Sequence, residues 1–332
     1  MPVAEVVSET ADACSLVLDV PTELAESFAY RPGQFLTVRV PGADGGSVAR
    51  CYSLSSSPDA GDRPAITIKR MPVGYASNWI ADNVTAGSVL DLLPPAGTFT
   101  PASLDANFLM FAGGSGITPV MSILKSALAA GRGRIVLVYA NADELSVIFG
   151  AELRRLQAAS PDRLTVVHWL DVLQGAPAAA GLRELARPYA GYDAYVCGPD
   201  PYMAVVRQAL SELGVPTRQV HVERFLSLAE NPFEVPEVTG GVAAVLDVCL
   251  DDQAHRLDWP AGTRMLDVLI DADLDPPYSC REGVCGACAC RLVAGQVEMA
   301  HNEVLEESDL ADGYVLACQA VAVSAEISIS YS

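Results

Sequence analysis

The sequence predicts a multidomain fold: an antiparallel β-barrel, then an α/β unit on a parallel sheet, then a small α+β unit. Three observations carry this expectation. Short β-rich runs separated by Pro and Gly fill the first hundred residues, apolar strands alternate with helical stretches from about residue 107, and charge and cysteine usage change abruptly beyond Val242. A chain of 332 residues accommodates two or three domains of about 100–150 residues each. The boundaries expected are 1–103 for the barrel, 104–226 for the α/β unit, 227–241 for a linker and 242–332 for the last unit.

In the barrel, 35–40 and 66–69 are the clearest strands, rich in β-branched residues and bounded by turn formers. In the second unit, the apolar strand 108–112 leads through a Gly-rich turn into a helix over 120–130. A strand at 135–140, a helix at 149–159 and strands at 164–169 and 194–197 follow, and a helix at 202–213 completes the pattern. Such alternation demands a parallel sheet covered on both faces. Asn231-Pro232, Val235-Pro236 and Gly240-Gly241 mark the linker. Beyond it, 243–250 and 255–259 read as a hairpin, 264–271 as a helix, and 290–293 and 326–330 as strands. A small mixed sheet with one packed helix fits them.

Forty-one acidic against 21 basic residues give a net charge of −20, which argues against a nucleic-acid partner or an anionic membrane surface. The excess is uneven: residues 242–332 hold 16 acids against 4 arginines, residues 1–241 hold 25 acids against 17 bases. No apolar run reaches the roughly 18 residues of a membrane span, and the first residues lack a basic region followed by an apolar core. A cytoplasmic location is expected.

Five of the nine cysteines lie between Cys280 and Cys318. A secreted scaffold would spread its cysteines, whereas a cluster signals a metal or redox site. The four histidines form no ligand pair, which argues against a histidine-rich zinc site or a Rieske-like second centre. The spacing Cys280-x4-Cys285-x2-Cys288, with Cys318 further on, matches the plant-type [2Fe–2S] pattern. Gly283, Gly286 and the small Ala287 let the backbone wrap a cluster and aim its amides at sulfur. A zinc site is the competing reading, but it would ordinarily pair two C-x2-C knuckles. Cys290 and Cys249 read as packed thiols.

Two further motifs point to nucleotide cofactors. In the run Arg50-Cys51-Tyr52-Ser53-Leu54-Ser55-Ser56-Ser57-Pro58, Arg50 can pair with a phosphate, Tyr52 can lie on a flat ring and Ser53 can bond its edge. From residue types alone an exposed Ser-rich strand serves equally well. The turn Gly113-Gly114-Ser115-Gly116-Ile117-Thr118-Pro119, between a strand and a helix, suits a pyrophosphate at a helix N-terminus. After the second strand, Asn141-Ala142-Asp143-Glu144-Leu145 holds an acid and no cation, which suits free ribose hydroxyls and therefore NADH, with Asp143 as the ribose ligand.

With Arg31-Pro32-Gly33-Gln34-Phe35 before the first motif and Gly74-Tyr75-Ala76-Ser77-Asn78 after it, the chain resembles the ferredoxin–NADP reductase superfamily. That resemblance implies an FAD-binding barrel with Arg50 on the FAD pyrophosphate, Tyr52 against the isoalloxazine and Ser53 near its N5. It further implies that Ile68, Lys69, Arg70, Gly74, Ala76 and Ser77 make the remaining FAD contacts. Val73 departs from relatives, which often carry a second Gly there. The resemblance also implies that Gly113, Gly114, Gly116, Thr118 and Pro119 bind the nicotinamide cofactor together with Cys197-Gly198-Pro199, Cys197 lying beside the nicotinamide ring. A buried thiol at a strand end is the alternative for Cys197. Glu223 would tune or protonate the site and Phe225 shield the flavin, unless 221–225 is simply a terminal strand with Phe225 in the core.

The order flavin barrel, nicotinamide domain and β-grasp ferredoxin resembles, over essentially the whole chain, the reductase components of bacterial multicomponent oxygenases. A finer resemblance, to the reductases of 3-ketosteroid 9α-monooxygenases, is carried by 257–263, the stretch Cys280-Arg281-Glu282-Gly283-Val284-Cys285-Gly286-Ala287-Cys288-Ala289-Cys290, and His301-Asn302-Glu303-Val304-Leu305. It implies electron flow from NADH through FAD and the [2Fe–2S] cluster, held by Cys280, Cys285, Cys288 and Cys318. The implied acceptor is a terminal oxygenase of Rieske type, docking at the acidic ferredoxin domain of a monomer in steroid degradation. The alternatives are the reductase of another oxygenase, such as a phenylacetyl-CoA epoxidase, or a flavoprotein whose last domain is a non-redox interaction module.

Overall fold

The computed structural model describes residues 1–43, 45–225, 227–228, 231–234, 240–250 and 253–331. Seven of the linker residues expected at 227–241 lie outside the described residues. Two compact units form: one from Met1–Leu36, Cys51–Asp91 and Phe99–Leu226, the other from Thr37–Arg50, Leu92–Thr98 and Ser227–Ser332. Among the described residues no helix is long and apolar enough to cross a membrane.

The N-terminal strands build two three-stranded sheets. Val3–Thr10, Ala13–Leu18 and Ala65–Lys69 pair antiparallel, while Phe35–Pro41 lies between Ser47–Ser53 and Asp91–Leu92. Inward-facing Leu16, Leu18, Ile66 and Ile68 are fully buried. The helix Tyr75–Asn83 follows the Ala65–Lys69 strand.

In the first unit a five-stranded parallel sheet has the order Val220–Glu223, Asp193–Cys197, Phe108–Gly113, Ile135–Asn141, Leu164–Leu170. Both Phe108–Gly113 and Ile135–Asn141 are buried along their whole length, because helices cover each face. Helices Ile117–Ala130 and Gly150–Ala159 pack on one face, Ala179–Ala186 and Asp200–Glu212 on the other. Strand order reverses beside Phe108–Gly113, whose successor lies on one side and whose fourth strand lies on the other. Open α/β sheets bind ligands outside the carboxyl ends of strands at such a switch point. The helix Ala179–Ala186 is not among the elements the sequence predicts, because the Gly- and Pro-containing stretch before it resembles a loop.

In the second unit a mixed sheet runs Gln253–Trp259, Ala244–Leu250, Glu326–Ser330, Ala289–Ala294, Tyr314–Leu316, with Ala244–Leu250 and Glu326–Ser330 parallel. Alternation along Ala244–Leu250 buries Leu246 and Val248 under Met265, Leu266 and Leu269 of the helix Met265–Asp271. The same alternation corrects one expectation: Cys249 falls out of phase with the core face and is half-buried. The mixed sheet and its packed helix match the sequence-based expectation, whereas the second, short helix Glu307–Ala311 is not part of it.

Candidate functional site

The cysteine loop joins the helix Met265–Asp271 to the strand Ala289–Ala294. Its backbone enters the left-handed region at Arg281, Gly283 and Gly286. Gly283 has φ +76°, and a Cβ there would sit 2.7 Å from the His301 carbonyl oxygen, so only Gly fits. Coiled this way, the loop buries Cys280, Cys285 and Cys288, and Cys318 comes from the turn after Tyr314–Leu316.

The four thiols converge as two pairs. Cys285 hydrogen-bonds Cys280, which, with help from the amides of Glu282, Val284 and Cys285, pushes the Cys280 thiol down to about 6 against its burial. Cys288 likewise holds Cys318 below its ordinary value. The paired donors Cys285 and Cys288 are correspondingly raised. Amides aim at sulfur, with Glu282 N–H 3.4 Å from Cys280 Sγ and Cys318 N–H 3.5 Å from Cys288 Sγ. Among the described residues no set of three or more His, Cys, Asp or Glu closes around a single ion. Two thiol pairs suit two irons, each taking two thiolates. Cys290 stands apart, its thiol pushed up to about 12 by burial and facing Met265 Sδ at 3.8 Å.

Two residues of this region carry almost no signal in the sequence. Arg281, between the first two cysteines, is buried and paired with the buried Asp267 of the helix Met265–Asp271. Gln319 Nε2 donates to the Arg281 carbonyl at 2.6 Å and lies 3.6 Å from Cys318 Sγ. The one hint is an arginine inside an otherwise small-residue loop.

At the switch point of the parallel sheet the two predicted turns abut. A Cβ on Gly116 would collide with the Cys197 carbonyl, so the Gly113–Gly116 turn and the Cys197-Gly198-Pro199 turn meet backbone to backbone. Thr118 Oγ1 donates to Ser115 O at 3.1 Å, and Pro119 occupies the first turn of the helix Ile117–Ala130. Cys197 is buried and Glu223 is its register partner on the adjacent parallel strand. Burial first, and then the Glu223 charge, pushes the Cys197 thiol up; burial pushes the Glu223 carboxyl up to about 7. Phe225 is 49% exposed, which overturns the core-packing alternative.

A cavity of about 210 Å³ opens here, lined by Lys69, Gly113, Gly114, Asn141, Asp171 and Tyr202 among others. Asn141 is buried with both side-chain polar atoms unbonded, while the neighbouring Tyr139 hydroxyl donates to Gly114 O at 3.0 Å. Asp143 does not line this cavity. Its Oδ1 accepts from Ser146 N–H at 2.9 Å and Ser146 Oγ bonds it in return, a capping box that engages the carboxylate in its own turn. The acid at the cavity is Asp171, at the end of the next strand.

On the flavin motif, the strand Ser47–Ser53 carries Arg50 and Tyr52 half-buried and Ser53 buried. Arg50 Nη1 donates to Ala49 O at 2.6 Å. The serines that follow are not an exposed strand: Ser55 bonds Thr67, Ser56 bonds Tyr30 and Ser57 bonds Ser126, each at 2.7 Å. Ile68 is fully buried and offers only its main chain. Lys69 reaches the cavity, whereas Arg70 pairs with Asp82 at 2.6 Å. Gly74 precedes the helix Tyr75–Asn83 and offers no side-chain cap to its first turn, which holds Ala76 and Ser77. Ser77 Oγ donates to Gly74 O and accepts from Met71 N–H, both at 3.2 Å, so it shapes the turn.

Three family models match: an oxidoreductase FAD-binding domain over 1–100, an oxidoreductase NAD-binding domain over 110–208 and a 2Fe-2S iron-sulfur cluster binding domain over 248–323. Fold and site together define a three-domain electron-transfer oxidoreductase. The chain is 52% identical, over all of its length and 96% of the relative, to the 3-ketosteroid-9-alpha-monooxygenase ferredoxin reductase component of Rhodococcus rhodochrous. It is 29% identical, over all of its length and 97% of the relative, to one of the subunits of the 1,2-phenylacetyl-CoA epoxidase of Escherichia coli. The solved phthalate dioxygenase reductase shares the fold, with a TM-score of 0.55, 24% identity, and coverage of 99% of this chain and 96% of that one. The chain belongs to the family of ferredoxin reductase components of 3-ketosteroid-9-alpha-monooxygenases.

Proposed function

We propose that the chain carries electrons from NADH to a Rieske-type terminal oxygenase that hydroxylates 3-ketosteroids in the cytoplasm, acting as a monomer. The full-length likeness to a steroid monooxygenase reductase carries this reading, since the epoxidase relative is far more distant. When bound, FAD supplies a carrier that takes two electrons together and releases them singly, and the cluster supplies a one-electron outlet.

The residues divide that work. Cys280 and Cys285 would hold one iron and Cys288 and Cys318 the other, with the surrounding amides available to the sulfurs. Arg50 and the first turn of Tyr75–Asn83 would take phosphate charge, and Tyr52 with buried Ser53 would receive the flavin ring. The Gly113–Gly116 turn admits the dinucleotide pyrophosphate, and Cys197 with Glu223 lines the nicotinamide position. Asn141 and Asp171 read the adenosine ribose, Asp171 favouring NADH over NADPH by repelling a 2′-phosphate. The division assigns 1–103 to FAD, 104–226 to the nicotinamide cofactor and 242–332 to the cluster, with 227–241 as linker.

A reconstitution tests it: the purified chain, NADH, a 3-ketosteroid and a purified steroid oxygenase. About one hydroxylated steroid per NADH is expected; rapid NADH oxidation with little product would refute the steroid pairing. A chain without iron–sulfur absorbance would favour the flavoprotein with a non-redox last domain.

A further inference from the structure

The second unit contains a connection that the cofactor assignments leave without a role. Arg281 donates through Nη1 to the Glu234 carbonyl at 2.7 Å while its other terminal nitrogen pairs with Asp267. Its own carbonyl accepts from Gln319 and, at 3.2 Å, from Arg264 Nη1. Both ends of this one residue are therefore tied, and its guanidinium also lies 5.5 Å from the Tyr278 ring. Glu234 belongs to a turn that Asn231 closes, through Asn231 Nδ2 to Glu234 Oε1 at 2.7 Å. The same Nδ2 donates to Ser47 Oγ at 2.7 Å and Ser47 O at 3.2 Å, at the start of the strand that carries Arg50. Phe233, within the turn, lies 5.8 Å beneath the Arg39 guanidinium of the neighbouring strand. Thr37 and Ser279 add a buried hydroxyl pair at 2.8 Å.

We propose that Asn231, Glu234 and Arg281 form a strap that fixes the cysteine loop to the strand carrying Arg50, and that this strap sets the rate of electron transfer from flavin to cluster. The inference rests on the reading of the cysteine loop as the cluster site. It changes no stoichiometry: each NADH oxidised to NAD⁺ still releases one proton and two electrons, and both electrons leave singly through the cluster to the oxygenase. Arg281 and Asn231 are positioning residues, since neither is assigned to a cofactor. A loop held in one place needs no search, whereas a loop that must return to its place adds a conformational step before each transfer.

Arg281→Met leaves Asp267 buried and unpaired and is expected to lose the cluster, so two milder variants carry the test. Arg281→Lys keeps the charge opposite Asp267 but gives up the forked geometry that also reaches Glu234. Asn231→Ala removes both amide bonds to Ser47 and leaves only the 3.3 Å bond from Ser47 Oγ to Glu234 Oε1, without touching the cysteine loop. In anaerobic stopped-flow, both should reduce flavin with NADH at the wild-type rate yet pass electrons to the cluster about tenfold more slowly, the scale on which small misplacement acts. The slowed step should become viscosity-dependent, while iron content, the paramagnetic spectrum of the reduced cluster and its reduction potential stay at wild-type values. Unchanged transfer in both variants, whatever their thermal stability, overturns the strap. Transfer slowed only together with an altered cluster spectrum or potential assigns these residues to the loop itself and overturns it also. A wild-type chain that binds no cluster refutes the underlying cofactor reading instead.

Discussion

Asp143 and Asp171 divide two tasks that local sequence would give to one residue. Asp143 bonds its own turn, and Asp171 lines the cavity beside the unbonded amide of Asn141. Asp171→Asn should raise KM for NADH several-fold with kcat unchanged and narrow the preference over NADPH, as steady-state kinetics with both cofactors will read. Asp143→Ala should instead cost about 0.5–1 kcal/mol of stability as a lost cap and leave KM nearly untouched. Glu223 supplies a pH signature. Its folded carboxyl titrates near 7 against 4.5 unfolded, so the unfolded chain loses its proton first as pH rises. The neutral carboxyl's contribution is fully present below 4.5 and is lost as pH climbs through 7. Thermal unfolding across that window should therefore show Glu223→Gln losing less stability than wild type between about pH 5 and 8. The cluster cysteines are legible because three ligands share one short loop. Asp171, Arg281 and Gln319 are not, because their partners are brought to them only by the fold.

At the scale of elements, what is legible follows periodicity. The continuous apolar runs at Phe108–Gly113 and Ile135–Asn141 announce a doubly covered sheet, and alternation at Ala244–Leu250 announces a half-covered one. The helix Ala179–Ala186 is hidden by the Gly- and Pro-containing stretch before it, and the short strands Val297–Met299 and Ala320–Ala322 fall below the length at which a period can be counted. Two turns tolerate no side chain. Gly283→Ala meets both a left-handed backbone, costing roughly 1–2 kcal/mol, and the His301 carbonyl. Purified protein should hold much less iron while NADH still reduces its flavin. Gly116→Ala drives a methyl into the Cys197 carbonyl and should weaken NADH binding at least tenfold by titration, with the visible spectrum of flavin and cluster unaltered.

At the scale of the whole molecule, charge and connectivity matter more than any single contact. Residues 242–332 carry 16 acids and 4 arginines, and if the oxygenase docks there as proposed, this charge would steer a basic surface toward it. Association with the oxygenase should slow as salt is raised from about 0.02 to 0.3 M, where the Debye length shrinks below about 10 Å, while NADH-to-flavin transfer barely responds. Cys285→Ser should abolish electron delivery to the partner yet leave flavin reduction by NADH near wild type; loss of both would show that the two halves of the chain do not act independently.

The strand Glu326–Ser330 occupies the middle of its sheet, hydrogen-bonded on one side to Ala244–Leu250 and on the other to Ala289–Ala294. During synthesis the cysteine loop thus emerges from the ribosome before the sheet that supports it can close. Metal loading must either wait for the last strand or act on a half-built cradle. Nascent chains halted before Glu326 should emerge without iron, and cellular iron delivery would then meet this protein only after Glu326–Ser330 has left the ribosome.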